Sequence, residues 1–409
     1  MPSAILTRGV SHRVENFTES VIREMTRLAM EYDAINLAQG FPDFAAPAFI
    51  KEAAIQAIRD EVNQYSVTWG DPALRQAIAE KYRRFYRMPI DPDRHVTVCC
   101  GATEAMISTL IALLNPGDET VIFEPFYENY GPDSILSGAH PRFVPLRGGP
   151  AGWNFDPQEL AAAFNERTRA IIINTPNNPT GKVFTRSELE IIRDLCVRWD
   201  VLAITDEIYE HILYDGRQHI PLATLDGMAE RTITISGVSK TFSVTGWRIG
   251  WALAPAALAN GIRKVHDFLT VGAPAPLQIG AAHAINHGDD YCRNLSAEYE
   301  LRRRWLVPPL QAAGFRCQWP EGAYYVLAGI EPFLSSAEET DEAFARRLVR
   351  EIGVAGVPGS SFYHDPRLGR TQIRFCFPKQ DATLNAAVER LRRLGAPAPP
   401  EAPAPAPRS

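Results

Sequence analysis

Short apolar runs recur through the middle of the chain and predict its main structural elements. Each run is four to six residues long, rich in β-branched side chains and without the alternation of a half-exposed strand. Strands that are buried on both faces show this pattern. We therefore predict buried strands at His95–Cys100, Thr120–Phe123, Ala170–Ile173, Val201–Thr205, Thr232–Ile235 and Ile249–Leu253.

Signals for helix starts lie between these runs. Thr185 and Glu188 form a capping box ahead of apolar residues at helical spacing, and Asp156 and Pro157 supply an N-cap and a first-turn proline. Strands and helices therefore alternate along the chain. This alternation favours an α/β fold in which helices cover both faces of a mostly parallel sheet.

The pattern changes after about residue 285. A charged helix is predicted over Tyr291–Trp305, with Arg302–Arg304 as a solvated face, and a last helix over Asp381–Leu394. A chain of 409 residues exceeds one ordinary core, so we expect more than one domain. The predicted parts are an N-terminal arm with part of a small α+β domain (1–48), a large domain (49–285), the rest of the small domain (286–395) and a disordered Pro- and Ala-rich tail (396–409).

Composition and charge narrow the class of function. The chain is 45% hydrophobic and 22% charged, and its formal net charge of -6 gives no basic surface for nucleic acid or an anionic membrane. No apolar run reaches the roughly 18 residues of a spanning helix, and the N-terminus lacks the apolar core of a signal peptide. The cysteines form no CxxC pair and the histidines show no ligand spacing. We therefore expect a cytoplasmic enzyme without a metal site.

Small and polar residues follow the predicted strands. In parallel α/β folds, ligands bind at this carboxyl edge of the sheet. The segments are Gly101–Glu104, Glu124–Tyr127, Asn174–Pro179, Asp206–Tyr209 and Ser236–Lys240. The first of them opens a predicted helix, and the free N–H groups at a helix start suit a phosphate.

The residue types at this edge match one kind of ligand. Arg248 suits a phosphate, which arginine binds with two hydrogen bonds, and Tyr127 offers a flat face to an aromatic ring. Asp206 and Asn178 can hold polar groups of that ring, and Lys240 can form a Schiff base with an aldehyde. Pyridoxal 5'-phosphate is a phosphorylated aromatic aldehyde with a basic ring nitrogen. It is the cofactor that we predict.

Longer motifs follow one another within about Ile35–Leu394. In chain order they are INLAQGFPDF, NQYSVTWG, NTPNNPTGKVF, TDEIYEH, SKTFSVTGWRIGW and IRFCF. They resemble those of the class I/II pyridoxal-phosphate-dependent aminotransferases, nearest the kynurenine, glutamine and methionine aminotransferase branch. The resemblance implies an aspartate-aminotransferase-like fold (fold type I) and a homodimer. It also implies an enzyme that moves an amino group between an L-amino acid and a 2-oxo acid by ping-pong chemistry.

The resemblance implies a role for each matching residue. Lys240 forms the aldimine with the cofactor and moves the proton, and Asp206 pairs with the ring nitrogen. Tyr209 and Asn178 bond the ring hydroxyl, and Tyr127 stacks on the ring. The remaining implied contacts are those of Gly101, Ala102, Thr103 and Arg248 to the phosphate, of Gly40, Asn178 and Arg374 to the substrate carboxylate, and of Tyr65 to the phosphate of the neighbouring subunit.

One position departs from the family pattern. Many relatives have a phosphate-binding serine three residues before the lysine, where this chain has Gly237. Either Ser236 or Ser239 can take its place, and the sequence does not distinguish them.

Two other functions stay open on the sequence. The same chemistry serves a cysteine-conjugate β-lyase or another pyridoxal-phosphate enzyme, and a cofactor-binding regulator is a third possibility, disfavoured because a DNA-binding domain has no room before Ile35. The donor and the acceptor are not identified. No motif supplies a second cation for a dicarboxylate, and Thr270–Pro276 (TVGAPAP) has none of the aromatic residues expected for aromatic substrates.

Overall fold

The computed structural model describes residues 11–15, 17, 19–149, 152–336 and 338–395. The α-helices are α1 (Val21–Glu31), α2 (Ala48–Arg59), α3 (Pro72–Tyr86), α4 (Ala102–Leu113), α5 (Tyr130–Leu136), α6 (Pro157–Ala162), α7 (Arg186–Trp199), α8 (Ala256–Thr270), α9 (Ala275–His287), α10 (Asp289–Ala313), α11 (Asp341–Arg347) and α12 (Asp381–Leu391). None of these helices has the length and apolar character needed to cross a membrane. The tail predicted at 396–409 lies outside the described residues.

The strands form one large and one smaller sheet, with two short pairs beside them. They are β1 (Ile35–Asn36), β2 (Val96–Cys99), β3 (Glu119–Glu124), β4 (His140–Pro145), β5 (Arg147–Gly149), β6 (Gly152–Asn154), β7 (Thr168–Asn174), β8 (Leu202–Asp206), β9 (Thr232–Gly237), β10 (Gly250–Leu253), β11 (Arg316–Cys317), β12 (Tyr325–Gly329), β13 (Val354–Ala355), β14 (Val357–Pro358) and β15 (Gln372–Cys376).

The large sheet has the order β2-β10-β9-β8-β7-β3-β4. Strand β10 runs antiparallel to β2 and β9, and the other pairs are parallel, so the predicted α/β class with a mostly parallel sheet is confirmed. The six predicted strands all lie in this sheet. The seventh strand, β4, was not predicted, because its sequence HPRFVP begins with polar residues and proline and lies at the edge of the sheet.

Several helix starts were predicted correctly from capping residues in the sequence. Thr185 and Glu188 form the capping box at the start of α7, and the Asp156 side chain accepts a hydrogen bond from the backbone N–H of Gln158 at the start of α6. These side chains satisfy N–H groups that have no partner inside the helix. The helix after β2 begins at Ala102, directly after the turn at Gly101.

The smaller sheet has the order β11-β12-β15-β14, and its pairs are antiparallel. Strand β1 comes from the N-terminal part of the chain but pairs with β13. The hydrophobic core here joins α1 residues such as Met25 to α10, α12 and the smaller sheet. The domain boundaries at residues 48 and 285 stay predictions.

Helix α10 differs from its prediction in length and in one buried face. It continues to Ala313 through Pro308 and Pro309, although proline usually ends a helix. The predicted solvated face at Arg302–Arg304 is wrong for Arg303. That side chain is buried, donates hydrogen bonds to both carboxylate oxygens of Asp215 at 2.7 and 2.8 Å, and lies over the Tyr214 ring. Arg303 lies about one helical turn after the buried Tyr299, so both side chains are on the buried face of α10. The charge of the three arginines alone did not reveal this.

Candidate active site

A cavity of about 580 Å³ opens at the carboxyl edge of the large sheet, beside the smaller sheet. Most of the predicted site residues line it, although they come from segments far apart in the sequence. The predicted residues that line it are Gly40, Ala102, Thr103, Tyr127, Asn178, Asp206, Tyr209, Ser239, Lys240, Arg248 and Arg374. Gly101 forms the turn before Ala102. Tyr65 does not line the cavity, and it is 87% exposed.

Lys240 carries an amine without an acidic partner among the described residues. Its Nζ donates one long hydrogen bond to the Gly40 carbonyl, at 3.3 Å, and lies 5.9 Å from the centre of the Tyr209 ring. Burial, followed by the positive charge of Arg248, lowers the pKa of Lys240 from 10.5 to about 8, although the negative charge of Asp206 opposes the shift. A large fraction of this amine is therefore neutral near pH 8 and able to act as a nucleophile or a base.

Asp206 ends strand β8 and is held from three sides. Tyr130 donates its hydroxyl to the Asp206 Oδ2 at 2.6 Å, and the Ile208 backbone N–H donates to Oδ1 at 3.2 Å. The Asn174 side chain bonds the Asp206 carbonyl at 2.9 Å. Burial raises the pKa of Asp206, and the Tyr130 hydroxyl, the Ile208 N–H and the more distant Lys240 only partly oppose this shift. A cation placed against the carboxylate would therefore be bound strongly.

Arg374 is a buried cation that lines the same cavity. Its Nη1 donates to the Asn178 side-chain oxygen at 2.8 Å, and its Nη2 donates to the Ala38 carbonyl at 2.6 Å. The guanidinium lies 4.4 Å from the centre of the Tyr325 ring. No carboxylate of the described residues lies within ion-pair distance, and its Nε has no hydrogen-bond partner there. A buried cation with a free donor suits a ligand carboxylate.

The turn before α4 forms a cradle with the arginine beside it. Gly101 has a φ of +86°, and a Cβ at this position would lie 2.3 Å from Arg248 Nη2, so only glycine fits. The Arg248 guanidinium bonds the carbonyls of Thr245 and Cys100 at 3.1 and 3.4 Å. Free N–H groups at the start of α4 and this guanidinium together fit a phosphate.

The side chains behind this turn fix its position. Glu104, in the first turn of α4, accepts hydrogen bonds from the Cys100 backbone N–H at 2.9 Å and from His266 at 3.0 Å. Cys99 Sγ, Glu104 and His266 lie close enough to share a metal ion. Glu104 and His266 are however already bonded to each other, and His266 Nε2 bonds the Thr68 carbonyl at 2.9 Å. This geometry points to a structural ion pair.

The structure distinguishes the two serines near Gly237. Ser236 is buried and donates its hydroxyl to Glu210 Oε1 at 2.6 Å, whereas Ser239 lines the cavity. A Cβ at Gly237 would lie 2.8 Å from the Ile249 carbonyl oxygen, so a serine there would require the backbone to shift. Ser239 is therefore the serine that can reach a ligand phosphate.

Sequence reasoning missed several cavity residues. Tyr130 lies three residues after Tyr127, a helical spacing that could have indicated a second inward-facing ring. Tyr325 bonds the Tyr209 hydroxyl at 3.0 Å, yet it belongs to the smaller sheet and had no local signal. The N-terminal segment also contributes Phe17 and residues 19–23, the loop after β3 contributes Glu128, and α5 contributes Asp133.

Comparisons with known proteins agree with this geometry. The family of class I and II aminotransferases matches residues 32–391. Kynurenine–oxoglutarate transaminase 3 from Mus musculus is 39% identical over 404 residues, which cover 93% of this chain and 89% of that protein. The solved N-succinyldiaminopimelate aminotransferase of Mycobacterium tuberculosis is 40% identical with a TM-score of 0.91, covering 95% of this chain and all of that one. An Escherichia coli protein with a methionine aminotransferase function is 34% identical with a TM-score of 0.89, over 94% of this chain and 100% of that chain.

Proposed function

The chain belongs to the family of class I and II aminotransferases and is a pyridoxal-phosphate-dependent transaminase, and we propose that the cavity around Lys240 is where it exchanges the amino group. The observation that carries this proposal is the Lys240 amine, which has no acidic partner among the described residues and shares one cavity with Asp206 and Arg374. In the part of the chain that the structure describes, Asp206 and Arg374 thus have no ion-pair partner, and they share one cavity with this amine. We assign each of these two charged groups to a different part of a ligand.

The residues present fit pyridoxal 5'-phosphate. The cradle of Gly101 and Arg248 fits the phosphate, Asp206 fits the ring nitrogen, and Tyr127 fits the ring face. When bound, the cofactor supplies an aldehyde that takes up the amino group and a ring that draws electrons from the α-carbon. Lys240, with a lowered pKa, then holds the cofactor and moves the proton at the α-carbon.

Arg374 orients the substrate for this proton transfer. We assign its unpartnered Nε, together with the Asn178 side chain and the backbone at Gly40, to the substrate α-carboxylate. Binding the carboxylate at Arg374 fixes the α-carbon to which it is bonded, so that the hydrogen on that carbon can be presented to Lys240. Tyr209, through its hydroxyl, is assigned to the ring hydroxyl of the cofactor.

A reduction experiment tests the assignment of the lysine. Borohydride treatment of the holoenzyme and peptide mapping should place the cofactor on Lys240, and a label on another lysine would contradict it. Addition of an L-amino acid should convert the bound cofactor to its aminated form, with the 2-oxo acid as product. Release of ammonia without an acceptor would instead indicate the β-lyase reaction.

We further propose that the active unit is a homodimer in which Tyr65 completes the site of the partner. Tyr65 and Val67 lie on a loop that the Thr68 carbonyl ties to His266 of α8. At the end of α8, Phe268 is 90% exposed and Val271 is 48% exposed. Exposed apolar side chains that cluster in this way mark an interface, and a twofold pair is the commonest closed assembly.

Mixing two inactive variants tests the shared site. In a heterodimer of Lys240→Ala and Tyr65→Ala chains, one site keeps Lys240 from its own chain and Tyr65 from the other. Activity should therefore appear on mixing, although each variant alone is weak or inactive. Sedimentation should show a dimer, and a fully active monomer would contradict both the dimer and the role of Tyr65.

The proposed substrates are an L-amino acid and a 2-oxo acid, and the proposed location is the cytoplasm. The relatives are named for oxoglutarate, kynurenine, methionine and N-succinyldiaminopimelate. Their names therefore agree on the reaction and differ in the side chain of the substrate. A panel of donors with 2-oxoglutarate as acceptor tests this part of the proposal.

A further inference from the structure

His266 is a buried histidine of α8 that lies between two parts of the proposed cofactor site. Its side chain is 0% exposed, and both of its ring nitrogens make hydrogen bonds. Nδ1 lies 3.0 and 3.1 Å from the two carboxylate oxygens of Glu104, and Nε2 lies 2.9 Å from the Thr68 carbonyl oxygen. One ring therefore joins α4, α8 and the loop between α2 and α3.

The two acceptors determine the protonation state of this ring. A carboxylate and a backbone carbonyl accept hydrogen bonds and do not donate them, so Nδ1 and Nε2 must each carry a hydrogen. Burial alone would lower the pKa of His266. The hydrogen bonds to Glu104 and Thr68 and the negative charges of Glu104 and Asp267 outweigh burial and raise it. His266 is therefore a cation that holds both partners at once, which a neutral ring with a single N–H group could not do.

The bond to Glu104 supports the phosphate cradle of the same subunit. Glu104 lies in the first turn of α4 and accepts the Cys100 backbone N–H at 2.9 Å, directly before Gly101. A carboxylate without a cation at this helix start would repel a bound phosphate, because both anions would lie at the same positive end of the helix dipole. The His266 cation offsets that charge, and its bond to Glu104 holds the turn in place.

The bond to Thr68 supports the loop that carries Tyr65. Tyr65 is 87% exposed, and an exposed side chain reaches a second chain in one defined position only if its backbone is held. His266 bonds the Thr68 carbonyl, and Gln278 of α9 donates to Ser66 Oγ at 2.8 Å. These bonds fix residues that closely follow Tyr65, while the Tyr65 ring itself stays exposed.

We propose that His266 is a positioning residue for the cofactor phosphate in two sites at once. Through Glu104 it holds the cradle of its own subunit, and through Thr68 it holds Tyr65 for the site of the partner subunit. This inference rests on the proposed function, because it assumes the shared site and the role of Tyr65. It predicts that a substitution buried inside one subunit weakens the hold on the phosphate in the other.

Two substitutions separate the two bonds of this ring. The side-chain nitrogen of asparagine takes a position like that of Nδ1, so His266→Asn keeps a donor for Glu104 and loses the donor for Thr68. The side-chain nitrogen of glutamine is one bond further from the backbone and replaces Nε2, so His266→Gln keeps the donor for Thr68 and loses the donor for Glu104. His219→Asn is the matched control, since this buried histidine bonds Glu207 at 2.7 Å and does not line the cavity.

A purified mixed dimer with one complete site shows which subunit each bond serves. In the pair of Tyr65→Ala and Lys240→Ala chains, the Tyr65→Ala chain supplies Lys240 and the cradle, and the Lys240→Ala chain supplies Tyr65. Borohydride labels Lys240 in that site alone, so labelling at rising cofactor concentrations gives the affinity of the complete site. His266→Gln on the first chain and His266→Asn on the second should each weaken binding of pyridoxal 5'-phosphate about tenfold or more, as expected for the loss of a hydrogen bond to a charged group. His266→Gln on the second chain should change this affinity less than about twofold.

Pyridoxal, which lacks the phosphate, distinguishes positioning from a general structural role. Its labelling of Lys240 should change less than about twofold in the same mixed dimers, as should the labelling by both compounds with His219→Asn. Equal losses for both compounds would overturn the proposal. An unchanged affinity for pyridoxal 5'-phosphate with His266→Gln on the first chain, or with His266→Asn on the second, would also overturn it, so each variant is decisive by itself if the other does not fold. A mixed dimer without a change at His266 that fails to label Lys240 would instead contradict the proposed shared site.

Discussion

Two lysines of this chain are found beside buried acids, and they illustrate opposite uses of burial. Lys240 and Asp206 share the cavity without forming an ion pair. Lys81 and Glu210 form a direct ion pair behind the sheet, where the two side chains are 7% and 1% exposed. Asp206 and Glu210 are only four residues apart in the sequence. Their surroundings, not their positions in the chain, make them different.

Glu210 and Asp206 differ in the groups that bond their carboxylates. Glu210 accepts hydrogen bonds from Lys81, Ser236 and Tyr86. Burial alone would raise its pKa, but Lys81, His211 and His219 together outweigh burial and lower it to about 2. At Lys240 and Asp206 burial dominates, so the pKa of Lys240 falls and that of Asp206 rises. A satisfied pair is inert, whereas a pair kept apart is reactive and available to a ligand.

The largest expected effect concerns the reactive lysine. Lys240→Ala should abolish transamination, because loss of a general base alone costs roughly 10² to 10⁴-fold and the covalent hold on the cofactor is also lost. Turnover and circular dichroism measure activity and fold. The cofactor-free variant should be as stable as the wild type or more so, since it loses an unpaired buried cation. Retained turnover, or an unfolded variant, would contradict the contrast between the two lysines.

The inert pair should respond in the opposite way. Lys81→Met leaves Glu210 buried without its cation, which typically costs about 3–5 kcal/mol of unfolding free energy. Denaturant unfolding of the cofactor-free protein measures this loss. The double variant Lys81→Met with Glu210→Gln is the control, and it should recover most of the loss because no charge is left uncompensated. A loss below about 1 kcal/mol in the single variant would show that the pair is not structural.

The pH dependence of cofactor uptake tests the lowered pKa of the lysine. Only the neutral amine attacks an aldehyde, so a pKa of about 8 predicts that the rate rises with pH and is half-maximal near pH 8, not near 10.5. Absorbance after mixing cofactor-free protein with pyridoxal, which lacks the phosphate, gives this rate. Arg248→Gln should move the midpoint upward, because one nearby positive charge is removed. A midpoint near 10.5 in the wild type would show that burial does not perturb Lys240.

The smallest expected effect concerns Tyr130, whose hydroxyl donates a hydrogen bond to Asp206. Tyr130→Phe removes the hydroxyl that bonds Asp206 and leaves a buried carboxylate oxygen unpaired, at a cost of about 1–3 kcal/mol. We expect kcat/KM to fall about tenfold and the acidic limb of its pH profile to move upward, because the ionised form of Asp206 is less favoured. Tyr214→Phe, which loses a hydrogen bond to the Ala323 carbonyl, is the matched control. It should change the thermal midpoint only.

The large sheet and the residues along its carboxyl edge could be predicted from the amino-acid sequence. Apolar runs without alternation can be satisfied only by burial on both faces, and parallel strands bring their carboxyl ends to one edge. The sequence alone therefore brings Asp206, Lys240 and the turn at Gly101 together. Helix starts at capping residues such as Thr185 could also be predicted, because a capping residue acts on the helix that directly follows it.

Which charges find partners was determined by the tertiary structure. Groups far away in the sequence decide that Arg303 turns inward, that Lys81 pairs with Glu210, and that Asp133 Oδ2 has no donor among the described residues. Tyr325 reaches the cavity from the smaller sheet for the same reason. Periodicity reports whether a position is buried, because burial repeats with the element. It does not report which group a buried side chain meets, since that depends on how separate elements pack.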